Sequence, residues 1–221
     1  ELLADSYNEK FKRVSSVTAT TGYQLGSAAY ASKSFSVSSQ VGVPKGLAFN
    51  GDGTKMFVAD PIGGDVNEYT LSTGYDVSTA SFVDSFSVSS QESYVTDLAF
   101  NSDGTKMFVV GSTTDAVYQY NLSTGFDVST ASYNSVSLSV SSQDTAPEAL
   151  TFSSDGTKMY IGGESNDTVF QYTLTTAFDL STASYASKSF SVASQENDIA
   201  AVQFSSDGTK MFIIGTQNDT V

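Results

Sequence analysis

The chain predicts an all-β fold made of four equivalent antiparallel units, and three observations carry that prediction. First, one phrase occurs four times: Asp52-Gly-Thr-Lys-Met-Phe, Asp103-Gly-Thr-Lys-Met-Phe, Asp155-Gly-Thr-Lys-Met-Tyr and Asp207-Gly-Thr-Lys-Met-Phe. The copies are 51, 52 and 52 residues apart. A period of that size, rich in β-formers, marks an array of small sheets. Second, only 15% of the residues are charged, while Ser, Thr and Gly abound, as short strands and tight turns require. Third, short apolar runs alternate with turn residues in the same order within every copy.

The copy around Asp103 shows that order. Residues 98–100 form a short apolar strand. Residues 101–104 are a turn in which Gly104 supplies the left-handed position. Residues 106–110 return as a second strand, closing an Asp-Gly hairpin. A polar loop, 111–116, leads to a third strand at 117–122, which alternates in polarity at period 2. A longer connection, 123–130, precedes the fourth and most polar strand at 135–140. Four antiparallel strands in about 50 residues describe a β-propeller blade, and their return at constant spacing favours radial repetition over a long sandwich.

The ends of the chain share one register. Residues 14–25 align without gaps on 117–128, so the repeat region starts at a third strand, and Val221 begins a third strand again. Two arrangements follow. Strands at about 14–38 could complete those at about 202–215 and close a four-bladed ring, removing its exposed edges. Alternatively, the four repeats are part of a larger propeller. The expected domains are a non-repeat segment at 1–13, read as a linker of mixed charge, and a propeller at 14–221.

Composition excludes several functions. The 24 acidic and 10 basic residues give a formal charge of −14, a poor basis for binding nucleic acid. The field favours cations or basic partners instead. There is no Cys, hence no disulfide or thiolate chemistry, and no His, the usual general base and metal ligand. No apolar run is long enough for a membrane helix, so no membrane insertion is expected.

The units Leu98-Ala-Phe-Asn-Ser-Asp103-Gly-Thr-Lys-Met-Phe-Val and Val117-Tyr-Gln-Tyr-Asn-Leu-Ser-Thr resemble bacterial propellers with a Phe-x-x-Asp-Gly first hairpin, the YncE-like and WD40-like groups among them. The fuller phrase, with Phe126-Asp-Val-Ser-Thr-Ala-Ser-Tyr, is similar to repeats of marine bacterial and phage proteins of unknown role. The resemblance covers 14–221 and brings no shared catalytic motif. It implies a binding or structural module, often part of a larger surface or virion protein.

Features that repeat in every copy read as structure. Asp before Gly accepts backbone N–H bonds in its own turn. Gln40, Gln91, Gln143 and Gln195 can satisfy loop groups at the blade junctions. Tyr69, Tyr120 and Tyr172 read as packing between blades. Function is expected where the copies differ: the stretches 41–46, 92–97, 144–149 and 196–201 before each first strand, and the loops 60–65, 111–115, 163–167 and 215–219. In an up-and-down blade both sets lie on one face, and the Asp-Gly hairpins on the other. The variable face carries Asp60, Asp65, Glu92, Asp97, Asp115, Asp144, Glu148, Glu164, Asp167, Glu196, Asp198 and Asp219, against one base, Lys45. Loops on a rigid scaffold are where binding usually resides.

The reading reached from sequence is a non-catalytic binding or structural module on a cell or virion surface. It would recognise a glycan or protein through the acidic face and sit among neighbouring subunits of a larger assembly. No cofactor is expected, except Ca²⁺ if carboxylates converge, with Asp97, Asp144, Glu148 and Asp198 as candidate ligands. The expectation is that the chain is not an enzyme, because no nucleophile elbow or phosphate-cradling glycine loop occurs. Two alternatives stand beside it: a Ca²⁺-dependent hydrolase or lactonase using carboxylates near the axis, and a purely architectural spacer.

Overall fold

A computed structural model describes residues 13–19 and 28–216. The first sheet pairs β1 (Arg13–Ala19) with β2 (Ala28–Ser36). Three four-stranded antiparallel sheets follow: β3 (Leu47–Phe49), β4 (Lys55–Asp60), β5 (Asp65–Leu71) and β6 (Ala80–Ser87); β7 (Val95–Phe100), β8 (Lys106–Gly111), β9 (Ala116–Leu122) and β10 (Ala131–Ser139); β11 (Pro147–Phe152), β12 (Lys158–Gly163), β13 (Thr168–Leu174) and β14 (Ala183–Ser191). The last sheet pairs β15 (Ile199–Phe204) with β16 (Met211–Gly215). Within each full sheet the strands lie in chain order, the up-and-down pattern of a propeller blade.

The core sits between the sheets. Phe57, Ala59 and Val66 of the first full blade pack with Leu98, Met107 and Tyr120 of the second. Phe108, Val110 and Val117 pack likewise with Leu150, Met159 and Tyr172 of the third. Aromatic pairs mark the junctions, among them Phe35–Tyr69 at 5.5 Å, Phe57–Phe100 at 4.5 Å, Phe108–Phe152 at 4.7 Å and Tyr160–Phe204 at 4.3 Å between ring centroids. Each sheet therefore buries its apolar face only against a neighbour, and each blade depends on the next.

The half-blades at the two ends remain separate sheets. β2 packs on the 3₁₀ turn Val77–Thr79, as β6 packs on Val128–Thr130 and β10 on Leu180–Thr182. β15 packs on β11 and β12. The strand pairing that would close a four-bladed ring does not form between the described strands.

The repeated features have structural partners. Asp52, Asp103, Asp155 and Asp207 each accept from the backbone N–H and hydroxyl of the Thr two residues on. These bonds hold their carboxyls below the ordinary range; the Ser153 and Ser205 hydroxyls are the leading cause of the fall to about 2 at Asp155 and Asp207. Gly104, at φ +72°, lies against the Phe126 ring, so close that a Cβ there would meet it at 2.2 Å. Gln91 and Gln143 turn inward, accepting the hydroxyls of Tyr120 and Tyr172 at 3.1 and 2.8 Å.

Neighbouring blades are also tied by polar side chains. Lys55 donates to Glu68 at 2.6 Å and to the Phe126 carbonyl at 2.6 Å, and Glu68 accepts the Val128 N–H at 3.0 Å. In the next blade Lys106 reaches the Phe178 carbonyl and Gln119 accepts the Leu180 N–H.

Candidate functional site

The two variable loop sets meet at one end of the blades. The Ser93 hydroxyl donates to Thr113, Thr145 bonds Ser165, and Asn166 donates to the Gln143 carbonyl. Just inside this end, three of the four innermost strands carry one extra residue. The register slips at Thr96 in β7, Glu148 in β11 and Ala200 in β15. Such bulges re-aim side chains, and these sit where the strands border the axis.

Inside the four innermost strands lies a cavity of about 880 Å³, lined from Lys45, Thr96, Asp97, Glu148, Glu164 and Thr216 at the loop end to Ser102, Ser153 and Ser154 near the hairpin end. Lys45 donates to Glu148, bridging the first and third full blades across it. Asp97 stands between. Its Oδ1 accepts from its neighbour's N–H, Leu98, and its Oδ2 from Leu150 of the next blade, both at 2.8 Å. A Cβ on Gly46 would come within 2.6 Å of Asp97 Oδ1, so the glycine beside Lys45 makes room for this carboxylate.

Asp97 is only half-buried at its surface, because it opens on the cavity. Yet the protein packed around that cavity withdraws its carboxyl from bulk water and pushes it up to about 7. The two N–H bonds oppose the rise, and the Glu148 charge adds to it. Glu148 is also raised, by burial, with the Lys45 ammonium working in the opposite direction. Thr96 fixes the local backbone, its hydroxyl donating to the Val110 and Pro147 carbonyls.

The twelve acids expected to form one binding face divide into distinct groups. Asp97, Glu148 and Glu164 line the cavity. Glu92, Asp144 and Glu196 are buried in the loops. Glu92 accepts from the N–H groups of Tyr94, Thr113 and Thr114 and from the Thr114 hydroxyl, and Asp144 accepts from Ala146. All three are buried rather than displayed on the face, and Glu92 and Asp144 satisfy loop amides in a closed space. Asp60 is buried too and accepts from Ile62. Asp65 is half-exposed. Asp115, Asp167 and Asp198 occupy left-handed turn positions, and Asp167 accepts the Asp198 N–H. Asp219 lies outside the described residues. The four candidate calcium ligands are not gathered together: among the described residues no group of three or more such side chains is placed to hold a metal ion.

Sequence reasoning counted Lys45 as the one base of the variable face without giving it a role, and passed over Gly46 and Thr96. The usable signal was positional. Aligned copies have Gly46, Asp97, Ala149 and Ala201 at one position and Lys45, Thr96, Glu148 and Ala200 at the one before. Each chemical group occurs in a single copy, among small residues that leave it space.

Solved structures confirm the architecture. A protein provisionally named a 6-phosphogluconolactonase from Bacteroides fragilis superposes with a TM-score of 0.59 at 13% identity, over 92% of this chain and 52% of its own. Another so named, from Bacteroides uniformis, gives 0.57 at 12% identity, over 92% and 60%. The Cps50 (Swd1) β-propeller domain of Myceliophteria thermophila gives 0.52 at 9% identity, over 80% and 51%. At these identities the likeness shows the fold. The chain spans about half the length of the structures it matches. No curated protein matches the sequence significantly. Residues 21–220 match the model of a family described as lactonase, 7-bladed beta-propeller. That match supports the propeller part of the sequence resemblance and overturns the expectation of a non-enzyme, which rested on missing His, Cys and nucleophile motifs, none of which carboxylate-based hydrolysis needs. The chain belongs to the seven-bladed β-propeller lactonase family.

Proposed function

We propose that this chain supplies part of the wall of a lactone-hydrolysing site on the propeller axis, with Asp97 as general base. One observation supports the reading most: three blades each contribute one group, Lys45, Asp97 and Glu148, to a shared cavity in a chain of this family. A carboxyl poised near 7 suits proton transfer at neutral pH. Asp97 takes a proton from water as the water oxygen bonds to the acyl carbon. The ring C–O bond then breaks, and the proton passes to the departing ring oxygen, leaving a hydroxy acid. Lys45 would face negative charge developing on the carbonyl oxygen, with Glu148 holding the ammonium in position.

The test is hydrolysis of a simple δ-lactone by the 221-residue chain, followed by proton release, with and without added calcium chloride. Asp97→Asn is expected to lower kcat about 100-fold or more and to remove the rise in kcat/KM through pH 7. Absence of hydrolysis by the unaltered chain under both conditions would sink the reading and return the cavity to ligand binding without chemistry.

A further inference from the structure

The cavity wall is unlike one built for a phosphorylated substrate. Beyond its polar rim it is apolar: Leu47, Leu98, Leu150 and Val202 line it, with Phe100 and Phe152 deeper toward the hairpin end. Among the described residues its charged members are Asp97, Glu148, Glu164 and Lys45, three acids to one base. That base is held by Glu148. A phosphoryl group carries close to two negative charges at neutral pH and is gripped by Arg, Lys or converging N–H groups. The chain has a single Arg, Arg13, in the outlying strand β1. Lys55 and Lys106 are spent on Glu68 and on the carbonyls of Phe126 and Phe178.

Resting on the hydrolase reading above, we infer that the site takes uncharged lactones carrying an apolar chain, and discriminates against phosphorylated sugar lactones. The lactone ring would lie at the polar rim beside Asp97 and Lys45. The alkyl substituent would run down the Leu and Phe wall toward the hairpin end. An anionic tail on that wall would lose its water among Leu and Phe side chains and meet no base, which would exclude it. Each added methylene that enters the wall should improve kcat/KM by at most about fourfold.

The experiment is a series of γ-lactones from butyro- to decalactone, set against gluconolactone and its 6-phosphate, all with the 221-residue chain. Binding is measured separately by displacement of the uncharged fluorophore N-phenyl-1-naphthylamine. The expected result is that kcat/KM climbs along the alkyl series, with the 6-phosphate at least tenfold below gluconolactone. Leu47→Lys, at a half-exposed cavity position that tolerates a polar side chain, should flatten the series and narrow the phosphate penalty while the melting temperature holds. Should no lactone turn over while displacement still strengthens with chain length, the apolar specificity stands and the hydrolase reading falls. Preference for the 6-phosphate, or no dependence on chain length in either assay, overturns the inference.

Discussion

The two ends of the blades use the same side chain in opposite ways. At the hairpin end Asp52, Asp103, Asp155 and Asp207 sit in water, each bonded to the Thr two residues on, and their carboxyls lie below the ordinary range. At the loop end Asp97 borders a cavity, Asp115 and Glu148 are withdrawn from water beside other acids, and all three lie above it. The hairpin end repeats because every blade needs the same turn. The loop end varies, and each of the cavity's charged groups stands at its position in one copy alone. A carboxylate's role in this molecule therefore follows from its number of donors and its distance from water, and repetition marks the structural use.

The largest way to break the comparison is at the inter-blade tie on the hairpin side. Glu68→Ala leaves Lys55 without its buried counter-charge and the Val128 N–H without an acceptor, and should cost about 3 kcal/mol by urea unfolding. Glu68→Gln, matching Gln119 of the next blade, keeps the acceptor and should cost about 1 kcal/mol. Equal losses from the two variants would show that the Val128 hydrogen bond contributes nothing beyond the ion pair. Next, Gly104→Ala places a Cβ against Phe126 at φ +72°, with an expected loss of about 2 kcal/mol; an unchanged melting temperature would mean the ring yields freely.

Titration sharpens the same contrast. Carbon-13 NMR of the side-chain carboxyls should find Asp155 near 2 and Asp97 near 7. The signs differ. Asp155 is depressed, so its contribution to stability is present above its unfolded value of about 4 and is lost as pH falls toward 2. Asp97 is raised, so the native state holds its proton more tightly, and stability declines as pH rises from about 4 to 7. Asp97→Asn should flatten the stability profile in that upper window relative to the unaltered chain; parallel profiles would place Asp97 in free contact with solvent.

The smallest effect is a gain. Glu92 reaches the amides of its loop with both carboxylate oxygens, whereas Asp144, one methylene shorter, leaves Oδ2 buried without a partner. Asp144→Glu copies the longer clamp and should stabilise by about 1 kcal/mol, read as a rise in urea midpoint. A fall instead would mean that the space beside Gly163 is too tight for the extra methylene.

The sequence by itself determined the repeat, the strand order, the Asp-Gly turns and the sorting of constant and variable connections to opposite ends. These are local: a period-2 strand, a Gly at positive φ and a spacing of about 52 residues each act within one copy. Only the tertiary structure decided which acids reach the cavity. Glu92 and Asp97 stand five residues apart in one variable stretch, yet the first is locked under loop amides and the second opens on the axis. The bulge at Thr96, the absent side chain of Gly46 and the Leu150 amide of the next blade make that difference. They come from separate blades, and no local pattern records how blades pack. Closure was decided the same way. The register of the ends permits a ring, but the described end strands pair only within their own two-stranded sheets, and which strand edges meet is settled only when whole sheets pack.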